Sequence, residues 1–336
     1  MAEIRVDEET GDWRIVAPER AARPRDNAGA PSVCPFCPGH EHMTPPEVMR
    51  VPAGAAHWRI RVVPNLYAFV SPDATGGDSP ASGHHEVVVE SDRHDWDLRL
   101  ATPAELAEIL AVVRARCRVH TAGGAAAVLA FRNYGAAAGN SLRHPHSQVV
   151  ALDRPPPGLV NRWRRAHEHL DATGRLLAAD LADAERRDGR RIVADTGGVL
   201  VYQPRAASMP HETVLLPGDD SADLAGASDE TLAAVAAVLP GVLRGLATVL
   251  DDPAYNLVLH TGPPDGRRWY RWHLGLYPRV TTFAGLEIAT GLAVNPTAPE
   301  VTAPVLRAVV SPARTGPAGL PAPDPGSPGA AGHTRG

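Results

Sequence analysis

The sequence predicts an α+β fold assembled from two similarly ordered halves, and three observations carry that expectation. Long stretches of helical periodicity are separated by short β-branched runs bounded by turn residues. The order of these elements recurs after about 126 residues along the chain. The 336 residues, 44% hydrophobic and 21% charged, have the length of two average domains or one large duplicated one, and a composition able to pack a core.

The first helix is expected over residues 102–121. Its Thr-Pro-Ala-Glu start is a capping box with proline in the first turn, and Leu106, Ile109, Leu110, Val113 and Cys117 share one face, which makes Cys117 a core thiol. A second, over 159–187, carries Leu159, Trp163, Leu170, Leu177 and Leu181. A third runs through Leu232, Val235, Leu239, Leu243, Leu246 and Leu250, with Pro240 expected to kink or split it. Strands are expected at 58–64, 86–90, 128–133, 148–152, 199–203, 213–216, 255–261 and 270–278. In the last, Tyr270, Trp272, Leu274 and Leu276 alternate with Arg271, His273, Gly275 and Tyr277, so one side is apolar and the other polar. His85-Glu86, a helix, a strand ending at Asn133 and a His-bearing strand are followed by His211-Glu212, a helix, a strand ending at His260 and a second His-bearing strand. Glu86 to Glu212 is an offset of 126, which carries His146 to position 272, beside His273. Residues 311–336 hold 12 Pro or Gly in 26 positions and are expected to be a disordered tail.

Composition removes several function classes. All 33 basic residues are Arg, so Schiff-base chemistry and the phosphate-binding lysines of P-loop proteins and kinases are absent. A net charge of −5 repels a polyanion, so no nucleic acid is expected as main partner. The apolar runs fall short of the 18 or so residues that cross a bilayer, and MAEIRVDEETGDWR has no apolar stretch of the signal-peptide kind. The expectation is therefore a cytoplasmic protein with no membrane partner. Three Cys cannot form a disulfide framework, whereas Cys34 and Cys37, spaced CxxC, point to metal or redox chemistry.

The richest segment runs from Asn133 to Gln148, NYGAAAGNSLRHPHSQ. In an extended run His144, His146 and Gln148 fall in one row, which is not a core pattern. Gly135 and Gly139 permit a tight loop whose amides, with Ser141, can line a phosphate site. Two chemistries follow. Cys34 and Cys37 need two imidazoles to close a Cys2His2 zinc tetrahedron, and His94 and His144 are plausible partners. Alternatively or in addition, a neutral His146, with one ring N–H given to a backbone carbonyl, can attack a phosphorus and hold the group as a phosphoramidate.

Cys34-Pro-Phe-Cys37-Pro-Gly, Arg61-Val-Val-Pro-Asn65, Glu86-Val-Val-Val-Glu, the 133–148 segment with HPHSQ, and Trp272-His273 through Arg279 together resemble the galactose-1-phosphate uridylyltransferase family of the histidine triad superfamily, over about residues 10–310. The resemblance implies two histidine-triad-like halves, 1–157 and 158–310, sharing an antiparallel sheet flanked by helices, with the chain as a homodimer. It also implies a structural Zn2+ on Cys34, Cys37, His94 and His144, and His146 as nucleophile on the α-phosphorus of a nucleotide sugar. Gln148 would hold a phosphate oxygen and stabilise the nucleotidyl-histidine. Asn133, Gly139 and Ser141 would contact phosphate or stabilise the loop, Asn65 would sit near the nucleoside, and Arg20 and Arg23 near phosphate. The reaction implied is transfer of a nucleoside monophosphate between a nucleotide sugar and a sugar 1-phosphate. Alternatives are a nucleotide-sugar phosphorylase using inorganic phosphate, or a non-catalytic zinc-stabilised nucleotide-binding module. The chain departs from relatives that hold a second metal. Leu176 and Ala179 stand where a second CxxC would fall, Gly275 follows His273 where a second histidine would, and Leu292-Ala293 replaces a Tyr-Glu pair in the hexose-recognition stretch.

Overall fold

The computed structural model describes residues 2–22, 33–74, 79–265 and 267–310; Arg23 and the expected tail at 311–336 lie outside them. A hairpin of β1 (Glu3–Val6) and β2 (Trp13–Val16) stands apart from one ten-stranded sheet. The sheet contains β3 (Met49–Val51), β4 (Ile60–Pro64), β5 (Gly83–Val89), β6 (Ala127–Tyr134), β7 (His146–Leu152), β8 (Ile192–Thr196), β9 (Val199–Tyr202), β10 (Thr213–Pro217), β11 (Tyr255–His260) and β12 (His273–Pro278). Its order is β3-β4-β5-β7-β6-β11-β12-β10-β9-β8, with every neighbouring pair antiparallel. The architecture is α+β, with helices on both faces of the sheet.

The strand order reads the same outward from the β6–β11 seam in both directions. Register makes the repeat quantitative. Gln148 faces Val87 on one side and Phe131 on the other; Gly275 faces Val214 and Val258. All three differences (214 − 87, 258 − 131, 275 − 148) equal 127, one more than the offset read from Glu86 and Glu212. His146 thus corresponds to His273 itself, Gln148 to Gly275, and His85 to Glu212.

Helix α1 (Pro103–Ala122) begins with the expected capping box: Thr102 Oγ1 accepts the Glu105 N–H at 3.2 Å, and Glu105 Oε2 accepts the Thr102 N–H at 2.9 Å. Its face of Leu106, Ile109, Leu110, Val113 and Cys117 packs on one side of the sheet with α4 (Asp229–Leu250), in one apolar cluster. The helix expected over 159–187 is two helices, α2 (Pro157–Thr173) and α3 (Leu177–Asp188). Gly174 adopts a left-handed φ of 70° and ends the first, a turn that the leucine periodicity on either side conceals. Pro240 does not split α4; the helix is continuous over 22 residues, with Pro240 buried, as are Leu239, Val242 and Leu243. Packing of the apolar face outweighs the one missing N–H. By length and composition α4 could also cross a membrane, against the expectation of no such run; here half of its apolar window is buried inside the fold. The final strand begins at His273, not Tyr270, whose side chain joins a separate cluster with Trp163 of α2. Short helix α5 (Gly285–Thr290), α6 (Pro299–Val310) and the strands β1, β2, β3 and β8 had no periodic signal long enough to read.

Glu86 on β5 is buried against α1, where Arg116 donates to both carboxylate oxygens (2.8 and 2.6 Å) and His120 Nε2 lies 3.1 Å away. Burial alone would raise this carboxyl, but His120 and Arg116 override it and hold its pKa at about 2, below the ordinary 4.5. Because the folded value is the lower one, the stability it supplies is complete above pH 4.5 and is lost as pH falls toward 2. Denaturant melts should show a loss of about 3 kcal/mol from this group over that window. Glu86→Gln should be less stable at pH 7 and lose less on acidification.

Candidate active site

The site lies on the sheet face away from α1, where β7 meets the loops before β3 and after β6. The segment carrying Cys34 and Cys37 contains only short 3-10 turns, so side-chain clustering must hold it. Cys34, Phe36, Trp58, Val63, Val87, Val89 and Leu142 form a small apolar cluster there. Cys34, Cys37, His94 and His144 converge with all four ligand atoms within 4.8 Å of one another. Cys37 Sγ lies 3.3 Å from His94 Nδ1 and 3.6 Å from His144 Nδ1. Tetrahedral ligation at zinc-like bond lengths of about 2.0–2.3 Å spaces ligand atoms about 3.3–3.8 Å apart, so the residues fit a closed four-ligand ion. His144, fully buried, donates Nε2–H to the Ser91 carbonyl at 2.8 Å, which fixes the tautomer that turns the Nδ1 lone pair to the cluster. Burial lowers the His144 pKa to about 4 and pushes the Cys34 thiol up to about 12. In the absence of a cation both groups therefore prefer to be neutral.

His146 is 8% exposed and stands where two cavities share a wall of Ser141, Leu142 and His146. Its Nδ1–H donates to the His144 carbonyl at 2.9 Å, so in the neutral ring the lone pair is on Nε2. Phe36, between the two cysteines, packs its ring 5.4 Å from that of His146 and couples the Cys2His2 cluster to it. One cavity, of about 450 Å³, is lined by polar groups including Asn133, Asn140, Ser141 and Arg143. Arg99 and Arg132 share its wall but are held by carboxylates, Arg99 by Asp97 and Asp252, Arg132 by buried Glu90. The other, about 420 Å³, is lined by Pro35, Phe36, Val63, Leu66, Tyr67 and Val87 with Asn65 and Gln148.

The 133–141 loop owes its shape to Gly135 (φ 78°) and Gly139 (φ 84°), conformations that side chains resist. Gly139 N–H is spent on the Ala136 carbonyl at 2.9 Å, so this residue shapes the loop and is absent from both cavity walls. Asn256 of β11 donates to Asn133 Oδ1 (2.8 Å) and the Ala138 carbonyl (3.0 Å), tying the loop to the seam. Arg20 lies over the Phe69 ring at 5.1 Å and donates to the Tyr67 carbonyl, outside both cavity walls. Of the residues singled out in sequence, His146, Gln148, Asn65, Asn133 and Ser141 thus line the paired cavities and the four metal-ligand candidates cluster beside them. Phe36, His85, Arg143 and Asn256 went unmarked; their importance arises from contacts that no local spacing encodes.

In the second half, side chains fill the space beside the equivalent row. His273 repeats the nucleophile-type bond, Nδ1–H to the Arg271 carbonyl at 3.2 Å, but a side chain at Gly275 would strike Tyr277 Oη and His260 Nε2 within 2.7 Å. Arg162 donates to His260 Nδ1, and His260 Nε2–H meets Tyr277 Oη at 2.6 Å. Burial, His273 and Arg162 hold the His260 pKa down to about 2, and burial holds His273 at about 4. Among the described residues the Cys34–His144 group is the one His/Cys/acid cluster able to hold a metal ion.

Fold and site together define a class: a protein presenting one tautomer-fixed histidine at the junction of a polar and an apolar cavity, beside a Cys2His2 cluster. No family model matches the chain. It is 31% identical to the ADP-glucose phosphorylase of Arabidopsis thaliana over 330 residues, 91% of this chain and 93% of that one. It is 26% identical to the galactose-1-phosphate uridylyltransferase of Haemophilus influenzae over 282 residues, 79% and 80% of the two chains. Among solved structures, that of an Arabidopsis thaliana ADP-glucose phosphorylase with bound ADP-glucose matches with a TM-score of 0.76 at 31% identity, covering 91% of this chain and 98% of that one. A uridylyltransferase structure matches at 0.78 and 30%, covering 92% and 98%. The chain belongs to the galactose-1-phosphate uridylyltransferase family and is a nucleotidyltransferase.

Proposed function

We propose that the chain moves a nucleoside monophosphate from a nucleotide sugar to a sugar 1-phosphate through a covalent intermediate on His146. The observation that carries this reading is the Nδ1–H bond from His146 to the His144 carbonyl, which leaves Nε2 as the nucleophilic nitrogen at the junction of two cavities. Nε2 attacks the α-phosphorus, a P–N bond forms, and the bond from phosphorus to the bridging oxygen breaks to release the sugar 1-phosphate. A phosphate oxygen of the acceptor then attacks the same phosphorus, and the P–N electrons return to Nε2. The His144 carbonyl stabilises the positive charge that builds on the ring in both steps. The apolar cavity suits the base, with Asn65 beside it, and Gln148 offers its amide to the phosphoryl oxygens. Asn133, Ser141 and Arg143 suit the departing phosphate, and Gly139 keeps the loop in shape.

Cys34, Cys37, His94 and His144 would hold Zn2+, which when bound supplies a structural cross-link with no open position for substrate. The same reading assigns residues 1–157 to the catalytic half and 158–310 to the supporting half, gives Arg23 a phosphate-binding role, and makes a homodimer in the cytoplasm the working form; Arg20, held on Phe69 and the Tyr67 carbonyl, is left out of it.

The test is exchange. With zinc-replete protein, label should pass between a nucleotide sugar and its own free sugar 1-phosphate with no second substrate present, for at least one of the uridine, adenosine, guanosine or cytidine diphosphate sugars. Absence of exchange across that panel would overturn the covalent route. Offering inorganic phosphate in parallel reads out the phosphorylase alternative suggested by the 31% relative.

A further inference from the structure

His85 takes no part in the chemistry described above, yet it is 4% exposed and its ring makes the contact that orients Gln148. On the β5–β7 ladder Val87 faces Gln148 and His85 faces Val150, so His85 and Gln148 are diagonal neighbours on the face that carries His146. His85 Nε2 lies 2.8 Å from Gln148 Oε1. The ring rests on Phe69, centroids 4.2 Å apart, and the Phe69 backbone N–H points to Nδ1 at 3.4 Å.

Two donors face the ring, the Phe69 N–H at Nδ1 and the Asn65 amide at Nε2, and the tautomer decides which of them is answered. The Phe69 N–H is fixed by the backbone and cannot turn away, and with Nδ1 accepting it the ring proton sits on Nε2. Asn65 accepts the Tyr67 N–H through Oδ1 at 2.9 Å, which turns its NH2 to within 3.0 Å of His85 Nε2. In this tautomer the Asn65 NH2 stands against the Nε2–H instead of donating to it, while Gln148 Oε1 accepts from Nε2. Reversing the Gln148 amide would set a second NH2, beside that of Asn65, against the Nε2–H. The oxygen of Gln148 is thereby held at His85, and its NH2 is the end left for the cavity that Gln148 shares with His146.

The second half supplies a contrast. Where Gln148 is replaced by Gly275, the position equivalent to His85 is Glu212, whose carboxylate accepts the Ser208 N–H at 2.6 Å and Oγ–H at 2.7 Å within its own turn. The amide and its anchor are present together in one half and missing together in the other.

We propose that His85 is a positioning residue: as its Nε2–H tautomer it fixes the Gln148 amide so that NH2, and not oxygen, meets the phosphoryl group at His146. The kinetic consequence rests on the nucleotidyl-histidine reading; the tautomer does not.

Four proteins test this: His85→Phe, which keeps the ring against Phe69 but removes the donor; His85→Gln, whose amide can return an N–H near the Nε2 position; Gln148→Ala; and the Phe/Ala double variant. At saturating nucleotide sugar, His85→Phe should slow formation of the nucleotidyl-protein about 10- to 100-fold, the size expected for a misoriented group, with a smaller change in half-saturation. His85→Gln should recover to within about fivefold. In the Gln148→Ala background, His85→Phe should add less than about twofold. Equal slowing in both backgrounds, or His85→Gln as slow as His85→Phe, overturns the assignment. Long-range proton–nitrogen NMR of ring-labelled wild-type protein should show His85 protonated on Nε2. An Nδ1–H ring there overturns the proposal even if transfer is observed, whereas an Nε2–H ring in a protein that forms no adduct supports the positioning and overturns only the transfer reading.

Discussion

Replacing His146 with glycine should abolish nucleotidyl exchange, a loss on the order of 10⁴- to 10⁶-fold, the scale seen when a covalent nucleophile is removed. The wild-type protein, quenched with donor and no acceptor, should carry one nucleoside monophosphate by intact mass, and the adduct should be acid-labile, as a phosphoramidate is. His146→Gly should carry none. The effect should be this large because neighbouring groups can bind and polarise the phosphates but offer no second nucleophile in the row: the next inward-facing residues on β7 are Gln148 and Val150. His146 is 8% exposed, and its loss leaves the Cys2His2 ligand atoms untouched, so metal content should stay at the wild-type value. An adduct of unchanged yield in His146→Gly would place the nucleophile elsewhere and remove the central claim of the mechanism.

What the sequence exposed about this site follows from how local each signal is. The extended HPHSQ row and the glycines before it are read from consecutive residues, since alternation along a strand and positive φ at Gly135 and Gly139 are properties of the chain itself. The Cys34–Cys37 spacing is equally local, whereas its partners His94 and His144 were singled out by the family resemblance, since His40 and His42 stand nearer in sequence. Phe36 on His146, His85 on Gln148 and Asn256 across the seam are contacts over 110, 63 and 123 residues; strand pairing alone creates them. The fold divides in the same way. The capping box of α1 announced its start, whereas the break at Gly174 and the passage of α4 through Pro240 were decided by what each segment packs against. The 127-residue register could not be separated from 126 until the ladders β5–β7 and β10–β12 were laid side by side.

Loss of the Cys2His2 cluster should cost several kcal/mol of stability and activity with it. Cys37 lies within 3.3 and 3.6 Å of two imidazole nitrogens, and the segment around it contains no strand or α-helix to hold its course. The apolar cluster beneath it is small, seven buried residues with Cys34 among them, so the cross-link must supply much of what keeps the loop closed. Purified protein should contain about one zinc per chain. Strong chelation, or Cys37→Ser, should release it and lower Tm by roughly 10 °C, as several kcal/mol does in a chain of this size. Exchange should fall in step, because Phe36 is carried on the same loop and packs 5.4 Å from His146. His146→Gly provides the opposite pattern, full metal without chemistry, so the two variants separate a cluster that supports the scaffold from one that takes part in transfer. Full exchange activity in metal-free protein, or retention of one zinc per chain in Cys37→Ser, would show that the scaffold does not depend on this cluster.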